Sequence, residues 1–332
     1  MKKILNSAAD YVDEMLAGLV AAHPEYYRLY GDSGKVVARV KDGSKGKVGI
    51  VTGGGSGHLP VFTGYVGKGL LDACAIGDVF SSPSAEQMAD AIRAADQGSG
   101  VLRLYGNYGG DILNFDMAGD VVEFDDITCT TVLLTDDIAS APPEEHEKRR
   151  GVAGMVYAFK IAGAAAEGGR DLEGVTAIAQ KAADSCRSIG VALSSCTVPR
   201  AGKPTFDIAD DEIEMGMGIH GEPGIWRGKL RAADEIAAEM MERLLADMPL
   251  AGGDRVSIMV NSLGATPPEE LYILYNTVKA ALEATGATIV MPLVGRYATS
   301  MEMAGVSFTI CKLDEALETL LKAPCDCAFW RV

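Results

Sequence analysis

The stretch Val48-Gly-Ile-Val-Thr-Gly-Gly-Gly-Ser-Gly-His-Leu-Pro60 places four glycines and a histidine directly after an apolar run. The apolar residues predict a short buried strand over 48–52. The glycines predict a loop that a small polar ligand can approach closely, because glycine has no Cβ. A dinucleotide-binding fingerprint would need a third glycine where His58 stands, and the nearby Gly67-Lys68 lacks the Ser or Thr of a P-loop. The segment therefore predicts a ligand site that is not a standard nucleotide site.

Strand and helix patterns alternate along the rest of the chain, which is typical of the α/β class. Helices are predicted over 8–22, 151–168, 172–188, 232–245 and 315–321. Two further helices are predicted to begin at Pro83 and at Pro267. Strands are predicted over 100–105, 129–134, 191–195, 255–260, 288–291 and 306–311. We predict two α/β domains with mixed sheets, residues 1–188 and 189–332, with a substrate pocket between glycine-rich loops. The small, apolar helix 151–168 is predicted to be a core helix rather than a contact surface.

The composition describes a globular chain and argues against several partners. The 332 residues are 48% apolar and 23% charged, with a net charge of −16, which disfavours nucleic acid and anionic membranes. No run of 18 apolar residues occurs, and acids interrupt the first 24 residues, so neither a membrane span nor a signal peptide is predicted. Seven cysteines, an odd number, indicate free thiols in the cytoplasm and no metal site.

Two of the four histidines lie in glycine-rich segments. His58 ends the first segment, and His220 lies within Gly216-Met-Gly-Ile-His-Gly-Glu-Pro-Gly224, whereas His23 and His146 have the surroundings of surface residues. Asp111 follows a predicted strand in the segment 105–115, where open α/β sheets place ligand sites. Histidine serves as acid, base or nucleophile near neutral pH, so these residues predict a catalytic or binding site.

The segments TGGGSGH, NYGGDILNF, RRGVAGMVYAFKIAGAAAEGG and MGMGIHGEPG together resemble the dihydroxyacetone kinase family, and more narrowly its substrate-binding subunit. The resemblance runs nearly end to end. It implies that His220 attacks a ketose carbonyl to form a hemiaminal, that His58 polarises the substrate, and that Asp111 is the base for the hydroxyl that takes the phosphoryl group. The further substrate contacts that it implies are Gly55, Ser56, Gly57, Ser82, Gly106 and Asn107.

The resemblance also implies partners. Family members that work alone carry a second, all-helical nucleotide domain after the ketose-binding part, and this sequence does not contain one. No cofactor is therefore expected on this chain, and Mg-ADP or Mg-ATP is expected on a separate nucleotide-binding subunit. That subunit exchanges ATP directly or is recharged by a phosphotransferase-system protein. A homodimer is expected, with the partner subunits docking over the substrate pocket.

Three positions depart from the family pattern, and they leave the substrate open. Leu59 stands where glutamate is common, Gly106 where a lysine is common, and Gly109 where threonine is common. A roomier, less charged pocket is expected, which favours a tetrulose such as erythrulose over dihydroxyacetone. Two other functions are considered. A ketose-binding regulator would need His220 but could dispense with Asp111, and a lipid-binding protein of similar fold would need neither.

Overall fold

The computed structural model describes residues 2–40 and 45–332, which form two six-stranded mixed sheets with helices between and outside them. The helices are α1 Tyr11–Ala22, α2 Ala85–Ala95, α3 Gly109–Glu123, α4 Gly154–Glu167, α5 Leu172–Asp184, α6 Ala233–Asp247, α7 Pro268–Ala284 and α8 Glu315–Lys322. The strands are β1 Tyr27–Tyr30, β2 Val36–Arg39, β3 Gly49–Ser56, β4 Ala73–Val79, β5 Val101–Gly106, β6 Cys129–Leu134, β7 Cys186–Ala192, β8 Glu212–Met215, β9 Trp226–Lys229, β10 Arg255–Ser262, β11 Thr288–Gly295 and β12 Gly305–Leu313.

The first sheet brings two predicted site segments to one edge. Its strand order is β1-β2-β4-β3-β5-β6, and β3, β4, β5 and β6 are parallel. The carboxyl ends of neighbouring parallel strands meet at the same edge of the sheet. His58 follows the end of β3, and Asp111 follows the end of the adjacent β5. The sheet order therefore places these two residues on the same side of the molecule.

The second sheet supplies the third segment. Its order is β11-β10-β12-β7-β8-β9, with β10 and β11 parallel and the other neighbours antiparallel. Antiparallel β8 and β9 are joined by the connection 216–225, which carries His220. This connection brings His220 from the second sheet to the edge at which β3 and β5 end, where its ring meets that of His58.

The two sheets share one core. Helix α4 is buried from Gly154 to Ala166 and lies between the sheets with α5 and α8. Alternate residues of β3 face opposite sides: Ile50 belongs to the inner core, and Val51 packs under α2 and α3. Helices α6 and α7 cover the outer face of the second sheet. The α/β class, the mixed sheets and the core position of helix 151–168 are thus confirmed.

Several predicted boundaries are wrong. Helix α5 ends at Asp184 and β7 begins at Cys186, so the predicted helix to 188 and strand over 191–195 are each displaced. The division into two domains at 188/189 stays a prediction; that position lies inside β7, and α8 packs into the core shared with the first sheet. Strands β1, β2, β4, β8 and β9 were not predicted. Strand β4, for example, pairs parallel with β3 and antiparallel with β2 and is buried on both faces from Ala73 to Gly77, so it has no alternating pattern to detect.

Within residues 2–40 and 45–332, no helix is both long enough and apolar enough to cross a membrane.

Candidate active site

The glycine run is part of a strand, which corrects the prediction of a loop over 53–57. Strand β3 continues to Ser56 and is buried throughout. A Cβ on Gly54 would lie 2.2 Å from the Phe62 ring, and one on Gly55 would lie 2.7 Å from the backbone nitrogen of Ser81. These glycines make room for the protein's own ring and for its 80–82 turn, and that turn carries Phe80 and Ser82 to the site.

His58 is a buried, neutral hydrogen-bond acceptor. Its side chain is 1% exposed, and Nδ1 lies 2.6 Å from the Thr299 carbonyl oxygen. Because a carbonyl only accepts, Nδ1 carries the proton and Nε2 keeps its lone pair, with no partner among the described residues. The Phe80 ring stacks on the imidazole at 5.0 Å between centroids. Burial, followed by the charge of His220, lowers the pKa of His58 to about 3.

His220 is held with one nitrogen free. Glu222 accepts two hydrogen bonds from it, from the backbone N–H at 2.9 Å and from Nδ1 at 2.8 Å. The imidazole meets the His58 ring edge to face at 4.8 Å and the Tyr108 ring at 4.9 Å. A Cβ on Gly218 would fall 2.2 Å from the Glu222 carboxylate, so glycine is required there. In the neutral ring, donation from Nδ1 leaves Nε2 without a proton, which is the form of imidazole that attacks a carbonyl.

Glu222 is the end of a short chain of charges. Burial alone would raise its pKa, but the hydrogen bond and charge of His220, with the Arg150 guanidinium, lower that pKa to about 2. Arg150 Nη1 lies 3.8 Å from Glu222, and its Nε donates to Asp137 at 2.9 Å. The Glu222 carboxylate therefore stays ionised and orients His220. Glu222 and Arg150 were not predicted, although both lie inside the quoted IHGEPG and RRGVAG segments.

Asp111 is a buried carboxylate in the first turn of α3, where a helix favours an acid. It is 6% exposed, and its Oδ1 has no hydrogen-bond partner within the part of the chain that the structure describes. Burial raises its pKa to about 6, against a hydrogen bond from Ser82 and the charge of His220. A carboxylate with a pKa close to neutrality is suited to act as a general base.

The other predicted contacts have varied surroundings. Ser82 reaches Asp111. The Asn107 amide donates to the carbonyls of residues 147 and 149 at 3.0 and 2.8 Å, so it holds that segment. Ser56 and Gly57 line a separate cleft of about 350 Å³, together with Leu59. These three residues therefore face a cleft beside the His58 segment.

The departures at 106 and 109 leave different amounts of space. A Cβ on Gly106 would lie 3.1 Å from the Gly151 carbonyl oxygen and 3.1 Å from the Tyr108 ring, so that space is already occupied. A Cβ on Gly109 would meet nothing within 4 Å. The space beside Gly106 is therefore filled, whereas Gly109 is an exposed residue with open space beside it.

Three buried polar atoms without a partner belong to residues around His220: His58 Nε2, Tyr108 Oη and Asp111 Oδ1. An unsatisfied buried polar atom costs about 1–3 kcal/mol, so such atoms are expected where a polar ligand completes them. No group of three or more His, Cys, Asp or Glu side chains suited to a metal occurs among the residues described. The geometry is that of a site for a small, hydroxylated, electrophilic ligand.

The fold and the site define a two-sheet α/β protein in which an imidazole held by a carboxylate, a buried acceptor imidazole and a buried carboxylate lie at one edge of the first sheet. The chain belongs to the family described as the Dak1 domain, whose model matches residues 17–329. It is 47% identical to the dihydroxyacetone-binding subunit of the PTS-dependent dihydroxyacetone kinase 1 of Listeria innocua, over 99% of this chain and 100% of that protein.

Two further relatives differ in what their names say. The L-erythrulose kinase of Pectobacterium atrosepticum is 43% identical, over 100% of this chain and 56% of its own length. The solved structure of a dihydroxyacetone kinase operon co-activator superposes with a TM-score of 0.88 at 31% identity, covering 96% of this chain and 97% of that one. The family thus includes proteins named as kinase subunits, as single-chain kinases and as a regulator.

Proposed function

We propose that this chain is the ketose-binding subunit of a short-chain ketose kinase and that it binds its substrate covalently through His220. One observation carries the proposal. The imidazole is fixed by the Glu222 carboxylate at 2.8 Å with Nε2 free, directly against the His58 ring. The family match and the relatives named as dihydroxyacetone-binding subunits support the same function.

Hemiaminal formation follows from the proton positions. The Nε2 lone pair of His220 forms the bond to the carbonyl carbon, and the carbonyl π pair moves to the oxygen, which takes a proton from water. The positive charge that remains on the ring faces the ionised Glu222 carboxylate. Only a carbonyl compound can form this bond, so glycerol-like alcohols are rejected.

His58 and Asp111 handle hydroxyl groups. His58 Nε2 carries no proton, so we assign it to accepting a hydrogen bond from a substrate hydroxyl; it would first have to be protonated to polarise the carbonyl as a donor. Asp111 takes the proton of the hydroxyl that attacks the phosphoryl group. The covalent link holds that hydroxyl in place, and positioning provides much of the catalysis in phosphoryl transfer.

The phosphoryl donor belongs to a partner in this proposal. Mg-ADP or Mg-ATP resides on a separate nucleotide-binding subunit, which ATP or a phosphotransferase-system protein recharges, and this chain binds no cofactor. The L-erythrulose kinase relative supports this division, since the chain spans 56% of that protein's length. The working assembly is a cytoplasmic homodimer with the partner subunit over the pocket.

We propose a tetrulose as the preferred ketose. Two relatives support this choice, because their names are L-erythrulose kinase and L-erythrulose 1-kinase. A Cβ on Gly109 would meet no atom within 4 Å, so this position does not restrict a longer ketose. Kinetics with dihydroxyacetone and erythrulose, using the nucleotide-binding subunit, test this point. A higher kcat/KM for dihydroxyacetone would refute the tetrulose and leave the kinase function standing.

Intact-mass measurement tests the covalent step. Incubation with erythrulose or dihydroxyacetone, without a reducing agent, should add the mass of the whole ketose with no loss of water. His220→Ala should abolish the adduct, and Asp111→Asn should retain it. An adduct that persists in His220→Ala would exclude the proposed nucleophile.

The second candidate is a ketose-binding regulator, which the co-activator structure favours. A sensor needs the adduct but no base, whereas this chain keeps a buried carboxylate with a raised pKa beside the nucleophile. Phosphorylation of the bound ketose by an added nucleotide-binding subunit separates the two functions: turnover supports the kinase, and an adduct without turnover supports the regulator. The lipid-binding function considered from the sequence is not proposed, because the Dak1 match spans nearly the whole chain.

A further inference from the structure

Helix α3 exposes apolar side chains on the face that points away from the core. The exposed fractions are 61% for Leu113, 51% for Met117, 46% for Val121 and 92% for Phe124, the residue that follows the helix. Residues at this spacing lie within an arc of about 80° on a helix with about 100° per residue. The opposite face is buried through Phe115, Ala118 and Val122. These four exposed residues are called the α3 stripe.

One edge of the α3 stripe is acidic. The exposed acids Asp116, Asp120 and Glu123 each directly precede a residue of the α3 stripe in the sequence. They therefore form a row along one side of the stripe. They line a cleft of about 540 Å³ together with Asp126 and with Arg103, whose Nη1 lies 3.9 Å from Asp116. The segment 109–126 contains no lysine or arginine. The other edge carries Asn114, whose amide is bonded to the Pro83 carbonyl at 2.7 Å. Four carboxylates against one arginine leave this edge of the α3 stripe with a net negative charge.

The α3 stripe begins at the active site. Leu113 lies two residues after Asp111, in the same first turns of the helix. From Leu113 to Phe124 the helix axis rises by about 16 Å, at about 1.5 Å per residue. A protein that covered this length would reach the helical turn that carries Asp111. Contiguous exposed apolar surface with a polar rim is typical of a protein–protein contact.

We propose that the α3 stripe is the docking surface for the nucleotide-binding subunit, which meets it with an apolar ridge edged on one side by lysine or arginine. The inference rests on the proposed kinase function, and it names the surface through which the phosphoryl donor arrives. Charge complementarity selects this occupant: the acidic edge attracts a basic partner. Antiparallel contact between two copies of α3 would instead set the acidic edges of both copies side by side.

Binding of the nucleotide-binding subunit of the Listeria innocua dihydroxyacetone kinase 1 to the full chain tests the proposal, by calorimetry at low and at physiological salt. Met117→Gln/Val121→Gln should weaken binding at least tenfold, because central apolar contacts dominate interfaces. Asp120→Lys/Glu123→Lys should weaken it at least fivefold and flatten its salt dependence. The matched controls on α7 are Ile273→Gln and Glu269→Lys, both at exposed positions, and each should bind as the wild type does.

The erythrulose adduct, measured by intact mass on the same samples, separates the two proposals. Variants that form the adduct but do not bind the subunit support the α3 stripe. Equal binding by the stripe variants and the wild type, or no binding by the wild type, overturns it. Sedimentation gives the remaining outcome: stripe variants that turn a dimer into a monomer would show that a second copy covers the surface, which also overturns the proposal. Loss of the adduct in the wild type would instead refute the ketose-binding function.

Discussion

Replacing Glu222 with glutamine removes one charge from the site and little volume. The pKa of Glu222 is lowered from 4.5 to about 2, which corresponds to about 3 kcal/mol in favour of the ionised form at about 1.36 kcal/mol per pH unit. Only part of this free energy comes from the contact with His220, because 30% of the Glu222 side chain is exposed and Arg150 also stabilises the carboxylate. We take the contact with His220 to be worth one charge-assisted hydrogen bond, about 1.5–3 kcal/mol. We expect Glu222→Gln to weaken ketose binding about 10- to 100-fold.

The assay is a titration with erythrulose followed by intact mass and by calorimetry at pH 7. Glu239→Gln is the matched control, because Glu239 is also a partly buried glutamate between arginines, but on α6 and without contact to His220. The control should bind ketose normally. Thermal melting shows whether either variant has lost its fold. If Glu222→Gln binds within twofold of the wild type while His220→Ala forms no adduct, the carboxylate does not support the nucleophile and the reasoning is wrong.

Three further results are expected. Asp111→Asn should lower kcat at least 100-fold and keep the adduct, and kcat of the wild type should fall about tenfold per pH unit below about pH 6, because the raised pKa protonates the base there. Gly54→Ala should destabilise the protein by about 1–3 kcal/mol or more in urea unfolding, since the new methyl group meets the Phe62 ring at 2.2 Å. Asp247→Asn should cost about 3–5 kcal/mol, because it leaves the Arg149 guanidinium, 1% exposed, without its charged partner.

Each of these has a control or a contradicting outcome. A pH profile of kcat that is flat between about pH 5 and about pH 7, the range about one unit on either side of the pKa, would exclude Asp111 as the base. Gly109→Ala is the control for Gly54, because its Cβ meets nothing within 4 Å, and it should unfold as the wild type does. Asp211→Asn removes an exposed ion pair with Lys229 and should leave the urea unfolding curve as in the wild type, because solvent screens such a pair. Equal effects of the two aspartate substitutions would contradict the buried-pair argument.

The site residues were identifiable from the sequence, but their protonation states were not. His58, Asp111 and His220 stand in quoted motifs, and the resemblance assigned their roles. The assignment of His58 as a group that polarises the substrate stays a prediction of that resemblance; the hydrogen bond to Thr299, 241 residues away in the chain, makes Nε2 an acceptor. Glu222 is two residues from His220, but its hydrogen bond to the imidazole depends on the conformation of the loop, which the sequence spacing does not show. Proton positions follow from partners that only folding brings together.

The chain alone determined the class of fold, the family and the three candidate site residues, because helix and strand periodicity and the motifs are local properties of the sequence. Tertiary structure decided that the glycines of 53–55 belong to a strand packed by Phe62 and the 80–82 turn, and that both sheets share the core around α4. It also decided which face of α3 remains uncovered. Those outcomes depend on which distant surfaces meet, and the burial and desolvation that result set the pKa values on which the proposed chemistry depends.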